Sequence, residues 1–269
     1  MKKQRHRTQE LTGTLQSESI PQFAPDWCFF LDVDGTLVDI SERPNAVCID
    51  ASLRDLLHRL AVLTEGAVAL ISGRSIVDID RLFLPMRLPV AGQHGLERRD
   101  TLGNTHVFKC KAESLREVVQ RLERLVVQYP GLELENKGMT LAMHYRRAPD
   151  LAPMVASVMH QVSGILGDGF ELLPGKMLLE IKPRGKNKGT AIADFMQEEP
   201  FRARVPVYIG DDITDECGFT LVNKMRGYTL KVGDGVTHAK WRLADPTAVR
   251  AWLMTFADRF SSFVELRPL

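Results

Sequence analysis

The feature that most constrains the fold is a short apolar run that stops at two carboxylates. Trp27-Cys28-Phe29-Phe30-Leu31 leads directly into Asp32-Val33-Asp34-Gly35-Thr36-Leu37. The run is short, aromatic-rich and bounded by turn residues, so it reads as a buried strand. Carboxylates at the end of such a strand are costly unless a cation or hydrogen-bond donors meet them. Asp32 and Asp34 alternate with Val33, so on an extended backbone both leave on the same side. Gly35 allows a sharp turn or a close approach to a ligand. An Asp-Gly pair is also a common surface turn, and the partners found further along the chain decide against that reading.

A second apolar run, Ala67-Val68-Ala69-Leu70-Ile71, ends in Ser72-Gly73-Arg74. A third, Pro89-Val90-Ala91, ends in Gly92-Gln93-His94-Gly95. Between them Leu53, Leu56, Leu57, Leu60 and Leu63 recur at helical spacing behind a capping box read at Ser52-Leu53-Arg54-Asp55, and residues 75–83 read as a second helix. Strand and helix alternate, which predicts an α/β fold with a doubly wound, Rossmann-like parallel sheet. Ligands of such sheets bind beyond the carboxyl ends of the strands, where Asp32, Asp34 and Ser72 fall.

The pattern then changes. Residues 112–128 and 151–165 read as helices, each followed by a hairpin: 132–135 with 140–146, then 170–173 with 177–182. This predicts an α+β cap inserted into the core. Strand alternation puts Leu141, Met143, Tyr145, Met177, Leu179 and Ile181 against the helices. It leaves His144, Arg146, Glu180 and Lys182 on a polar face open to a ligand. The core resumes with a helix opened by Asn187-Lys188-Gly189, a strand at Val205–Ile209 followed by Gly210-Asp211-Asp212-Ile213-Thr214-Asp215-Glu216, a strand at Tyr228–Val232 and a helix over 246–260. The expected division is a disordered tail over 1–24, a core over 25–103 and 184–269, and a cap over 104–183. Hinges are expected near Gly103 and near Pro183-Arg184-Gly185.

Composition narrows the partners. The net charge of +1 in 269 residues gives no strong overall field and, with no basic helix, argues against nucleic acid. No apolar run approaches the length of a membrane span, and the basic N-terminus lacks the apolar stretch of a secretory signal. Cys28, Cys48, Cys110 and Cys217 form no C-x-x-C pair, which points to free thiols in a reducing, cytoplasmic compartment. A monomer acting on a small molecule is expected.

With Asp32/Asp34, Ser72, Lys188 and Asp211/Asp215 at four places on one rim, the chain resembles the haloacid-dehalogenase-like phosphatases with a mobile cap. The resemblance implies that Asp32 attacks phosphorus and forms an aspartyl-phosphate, and that Asp34 is the acid/base. A phosphate dianion repels an approaching carboxylate, and a divalent cation removes that repulsion. Mg²⁺ takes few protein oxygens, here Asp32, the Asp34 carbonyl and Asp211. Ser72 and Lys188 would neutralise charge on the transferring group. Asp215 would orient a water or Lys188, and Asp212 is an alternative for the metal role.

More narrowly, the chain resembles the trehalose-6-phosphate phosphatases. The segments that carry this are Asp32–Leu37, Leu70–Arg74, Gly92–Glu97, Glu135–Gly138, His144–Arg146, Glu180–Gly185 and Gly210–Glu216. That resemblance implies Mg²⁺-dependent hydrolysis of trehalose 6-phosphate, with the cap recognising the sugar. Lys137, His144, Arg146, Glu180 and Lys182 would provide that recognition, and Arg74, His94, Gly95 and Glu97 would line the cleft from core loops. A phosphatase for sucrose 6-phosphate or a mannosyl-phosphoglycerate is the rival within the enzyme class. A non-catalytic sugar-phosphate-binding module is the rival outside it, and would be expected to lack the nucleophile or the acid/base.

Overall fold

The computed structural model describes residues 23–41, 47–109 and 113–264. The chain runs β1 (Trp27–Leu31), α1 (Ala51–Leu63), β2 (Val68–Ile71), α2 (Ile76–Phe83), β3 (Val90–Gly92), β4 (Glu97–Arg99) and β5 (Thr105–Val107). It continues with α3 (Glu113–Gln128), β6 (Glu133–Asn136), β7 (Leu141–His144), α4 (Ala152–Leu166), β8 (Phe170–Gly175) and β9 (Leu178–Pro183). It closes with α5 (Lys188–Phe195), β10 (Val205–Gly210), α6 (Glu216–Lys224), β11 (Tyr228–Val232), β12 (Trp241–Leu243) and α7 (Pro246–Val264).

Eight strands form the core sheet in the order β12-β11-β10-β1-β2-β3-β4-β5. The first six run parallel, and β4 and β5 are antiparallel. β1 is buried along its whole length, as a central parallel strand covered on both faces must be. Its alternate side chains feed two cores. Trp27, Phe29 and Leu31 pack with α1, α2 and α7, while Cys28 and Phe30 pack with α5 and α6. Burying Phe29 and Phe30 completely is worth about 1.5–3 kcal/mol each. From β1 the chain winds one way through β2 and β3, and from β10 the other way through β11 and β12. The switch point therefore lies between the ends of β1 and β10, where Asp32 and Asp211 stand.

The cap is a four-stranded antiparallel sheet, β6-β7-β9-β8, with α3 and α4 on one face. Leu141, Met143 and Ile181 are buried in that core, as the strand alternation requires.

Several expected boundaries move. The cap does not begin at residue 104, because β5 pairs with β4 in the core sheet; Gly103 sits in the turn between these strands and is not a hinge. The linkers instead pass at Phe108 and Gly185, where the Phe108 ring lies 3.6 Å from the position a Gly185 Cβ would take. Helix α1 is capped by Asp50, which accepts the Leu53 amide at 2.7 Å, and not by Ser52. The expected tail over 1–24 lies outside the described residues except for Phe23 and Ala24, which pack on the core. Cys28, Cys48 and Cys217 are free thiols; Cys110 lies outside the described residues. Among the described residues no helix is long and apolar enough to cross a membrane.

Candidate functional site

Cap and core enclose a cleft with about 920 Å³ of free space, its solvent-open mouth included. Its floor is the rim of the core sheet. Asp32, at the end of β1, accepts Lys188 Nζ at 2.8 Å, and the same ammonium donates to Asp215 at 2.6 Å. Lys188 is aimed there by the start of α5, where Asn187 and Thr190 form a reciprocal capping box. Burial pulls the Lys188 ammonium down, but Asp215 and Asp32 outweigh it and hold it above the ordinary lysine range. Burial pushes Asp32 well above the usual carboxylate range, with Lys188 opposing and Asp215 and Asp211 adding to the rise.

Oxygens of Asp32, Asp211 and Asp215 lie within 4.8 Å of one another. Asp215 has nothing left to offer a cation. Its two oxygens accept Lys188, the Tyr208 hydroxyl and the backbone amides of Asp211 at 3.0 Å and Asp212 at 2.9 Å. Those bonds and Lys188 hold it below the usual carboxylate range against the cost of burial. Asp211 differs. Its Oδ1 is buried without a hydrogen-bond partner, its Oδ2 accepts Lys176, and its carbonyl accepts Lys231. Burial, then Asp215, raises it. An orphaned carboxylate oxygen beside Asp32 fits a hard divalent cation. Gly35 keeps this corner open: at φ +84° its missing Cβ would stand 2.2 Å from Asp211 Oδ2.

Asp34 takes a two-pronged bond from Arg74, at 2.6 and 2.7 Å. Ser72 is buried just behind the wall, its Oγ accepting the Arg74 amide at 3.0 Å. The opposite wall belongs to the cap. Register aligns Glu135, Ala142, Glu180 and Leu173 across the four strands on the face turned to the core. Glu180 accepts Thr140 at 2.6 Å, His94 at 2.9 Å and Lys137 at 3.2 Å, and Lys137 also donates to the Gly73 carbonyl at 3.0 Å. Burial disfavours the Glu180 carboxylate, yet Lys137 and His94 hold it far below the usual range. His144 meets Glu135 at 2.9 Å, and Arg146 crosses to the Ser41 carbonyl.

Of the residues expected from sequence, Asp32, Asp34, Arg74, His94, Lys137, His144, Arg146, Glu180, Lys188, Asp211 and Asp212 line this cleft. Asp215 lies directly beneath. Three expectations fail. Lys182 is on the predicted face of β9, but at its linker end. There it is sealed by Glu171 at 2.7 Å and the carbonyls of Pro183 and Lys186. Glu97 turns away and accepts the Ile76 amide at 2.7 Å, capping the start of α2. Gly95 packs against α5, where a Cβ would be 2.7 Å from the Asn187 carbonyl. Lys176, Glu135, Thr140, Lys231 and Tyr208 belong to the site and were not singled out. Glu135 alone carries a signal: it opens Glu135–Gly138, one of the segments behind the resemblance, and its hairpin partner Ala142 pairs with Glu180.

The trehalose-phosphatase family profile matches residues 30–247. The trehalose-6-phosphate phosphatase of Escherichia coli is 44% identical over 246 residues, covering 91% of this chain and 90% of that one. A solved trehalose-6-phosphate phosphatase related protein shares 30% identity and a TM-score of 0.73 over 88% of this chain and 99% of its own. A haloacid dehalogenase-like hydrolase from Bacteroides thetaiotaomicron, 14% identical, has the same fold, with a TM-score of 0.61 over 85% of this chain and 98% of its own. A family profile matched over most of the chain, together with 44% identity to a relative covered almost end to end, places this chain in the trehalose-phosphatase family.

Proposed function

We propose that this protein hydrolyses trehalose 6-phosphate to trehalose and inorganic phosphate. One observation carries the reading: a single cleft joins the Asp32–Lys188–Asp211 cluster to a cap wall of Glu135, Lys137, His144 and Glu180. The cluster suits a phosphoryl group, and the wall presents the dense donors and acceptors a disaccharide needs in a desolvated site. The likeness to the trehalose-6-phosphate phosphatase of Escherichia coli supports this choice of sugar.

Asp32 and Asp211 are the side chains that would hold Mg²⁺, with the Asp34 carbonyl. When bound, the cation supplies Lewis-acid neutralisation of the phosphate and keeps Asp32 ionised despite its burial. The Asp32 carboxylate attacks phosphorus, and the bond from phosphorus to the sugar oxygen breaks. That oxygen takes a proton from Asp34, which gives up its two-pronged bond to Arg74 and enters the step protonated. Water then attacks the aspartyl-phosphate, gives its proton to Asp34 and frees Asp32 with release of phosphate. Lys188 neutralises the phosphoryl oxygens, Asp215 keeps Lys188 charged and aimed, and Ser72 holds the Arg74 amide from behind the wall.

The test is phosphate release from a panel of sugar phosphates with and without EDTA, for the wild type and Asp32→Asn. Release from trehalose 6-phosphate that is lost in both controls is expected. Release only from another sugar phosphate would move the substrate, and none at all would leave a binding module.

A further inference from the structure

The turn between β8 and β9 reaches out of the cap and down into the core. Lys176, at its tip, donates to Asp211 Oδ2, the carboxylate whose other oxygen has no partner. The Lys176 side chain is half exposed and lines the same cleft as Asp32 and Lys188. Its own carbonyl accepts Arg146 at 3.2 Å, and Arg146 also bonds the Ser41 carbonyl of the core, so this turn is braced where it crosses.

Charge explains why a third cation belongs here. Among the described residues, the buried cations beside the Asp32, Asp211 and Asp215 carboxylates are Lys188, bonded to Asp32 and Asp215, and Lys231, bonded to the Asp211 carbonyl. One negative charge is in excess. A phosphate monoester brings about two more, and a divalent cation cancels those two. The excess stays until another cation arrives, and a low-dielectric site makes it expensive.

We propose that Lys176 is a further residue of the phosphoryl site, delivered by the cap. With the cap shut its ammonium group reaches the carboxylate cluster. With Asp211 engaged by the cation, that ammonium group is left to neutralise the transferring phosphoryl oxygens. Water exclusion and charge neutralisation then arrive in the same movement, and hydrolysis reaches full rate only over a substrate that holds the cap closed.

The inference rests on the phosphatase reading and is tested separately from it. Lys176→Met and Lys176→Arg are compared with the wild type in two measurements: steady-state hydrolysis of trehalose 6-phosphate, and calorimetric titration with Mg²⁺ alone. Lys176→Met is expected to lose about a hundredfold in kcat with little change in KM, while Lys176→Arg stays within about tenfold of the wild type. Mg²⁺ alone is expected to bind Lys176→Met more tightly, because the ammonium no longer competes for Asp211. Slower turnover with tighter metal binding is a pair that simple loss of structure does not produce. A kcat for Lys176→Met within about threefold of the wild type, or unchanged or weaker Mg²⁺ binding, would overturn the proposal. A wild type that releases phosphate from no sugar phosphate would defeat the substrate reading, and the Mg²⁺ titration would still decide whether Lys176 competes at Asp211.

Discussion

Asp215→Asn removes one charge from the buried cluster and keeps its shape. Asp215 is completely buried and receives four donors: Lys188, the Tyr208 hydroxyl and the amides of Asp211 and Asp212. An asparagine has one acceptor oxygen and one amino group. Whichever way it turns, the amino group faces two donors, and Asp32 is left as the one carboxylate charge bonded to Lys188. Removing one partner of a buried ion pair costs about 3–5 kcal/mol. At about 2–4 °C per kcal/mol for a chain of this size, the melting temperature should fall by about 6–20 °C without added metal. Turnover should fall by at least about a hundredfold, since Asp215 does most to keep Lys188 charged. Adding Lys188→Met removes the unpaired ammonium group, so the double variant should melt above the sum of the two single losses. Melting curves for the four proteins decide the matter. An Asp215→Asn protein melting within about 2 °C of the wild type, or strictly additive losses, would refute the account of Asp215 as the anchor of Lys188.

Gly35→Ala should abolish cation binding and reduce turnover by more than about a hundredfold, since its Cβ would stand 2.2 Å from Asp211 Oδ2 at a φ of +84°; wild-type Mg²⁺ affinity by calorimetry would contradict it. Lys182→Met should lower the melting temperature, because a buried partner of Glu171 is lost, yet leave KM for trehalose 6-phosphate unchanged; a raised KM would return Lys182 to the cleft. Burial pushes the Cys28 thiol from 9.0 up to about 12, so the unfolded chain releases this proton first as pH rises. Its contribution is intact below pH 9 and is lost as pH rises towards 12. Between pH 8 and 10 the wild type should therefore lose about 1.4 kcal/mol more stability than Cys28→Ala, as read by urea unfolding at both pH values; equal losses would count against it.

The strands that end in chemistry were legible because burial writes itself into sequence. β1, β2 and β10 are continuous apolar runs, and the charged or small polar residue that follows each, Asp32, Ser72 and Asp211, marks the rim. β4 carries no such signal. It reads Glu97-Arg98-Arg99, yet Arg98 and Arg99 are buried because Glu198 and Asp80 lie across from them as ion-pair partners distant in sequence. The same limit hid Lys176. Pro174-Gly175-Lys176 looks like any hairpin turn, and only the docking of cap on core brings its lysine to Asp211. Alternation placed Lys182 on the correct face of its strand, but periodicity has no information about which end of that face is closed. Glu97 and Gly95 were read as cleft residues from their motif, whereas the motif is also what braces α2 and α5.

Phe23 packs its ring against Trp27, Trp252 and Phe256, at centroid distances of 5.8, 5.2 and 5.4 Å. Trp27 opens β1, whereas Asp32 follows its far end. Helix α7 descends between the same two levels, from Arg250, bonded to the Leu37 carbonyl near the rim, to Phe256 beside Trp27. The first described residues and helix α7 are thus stitched together at the end of the sheet away from the chemistry. Another domain joined at either point would hang below the enzyme like ballast, leaving the cap its full swing and the substrate an unobstructed approach.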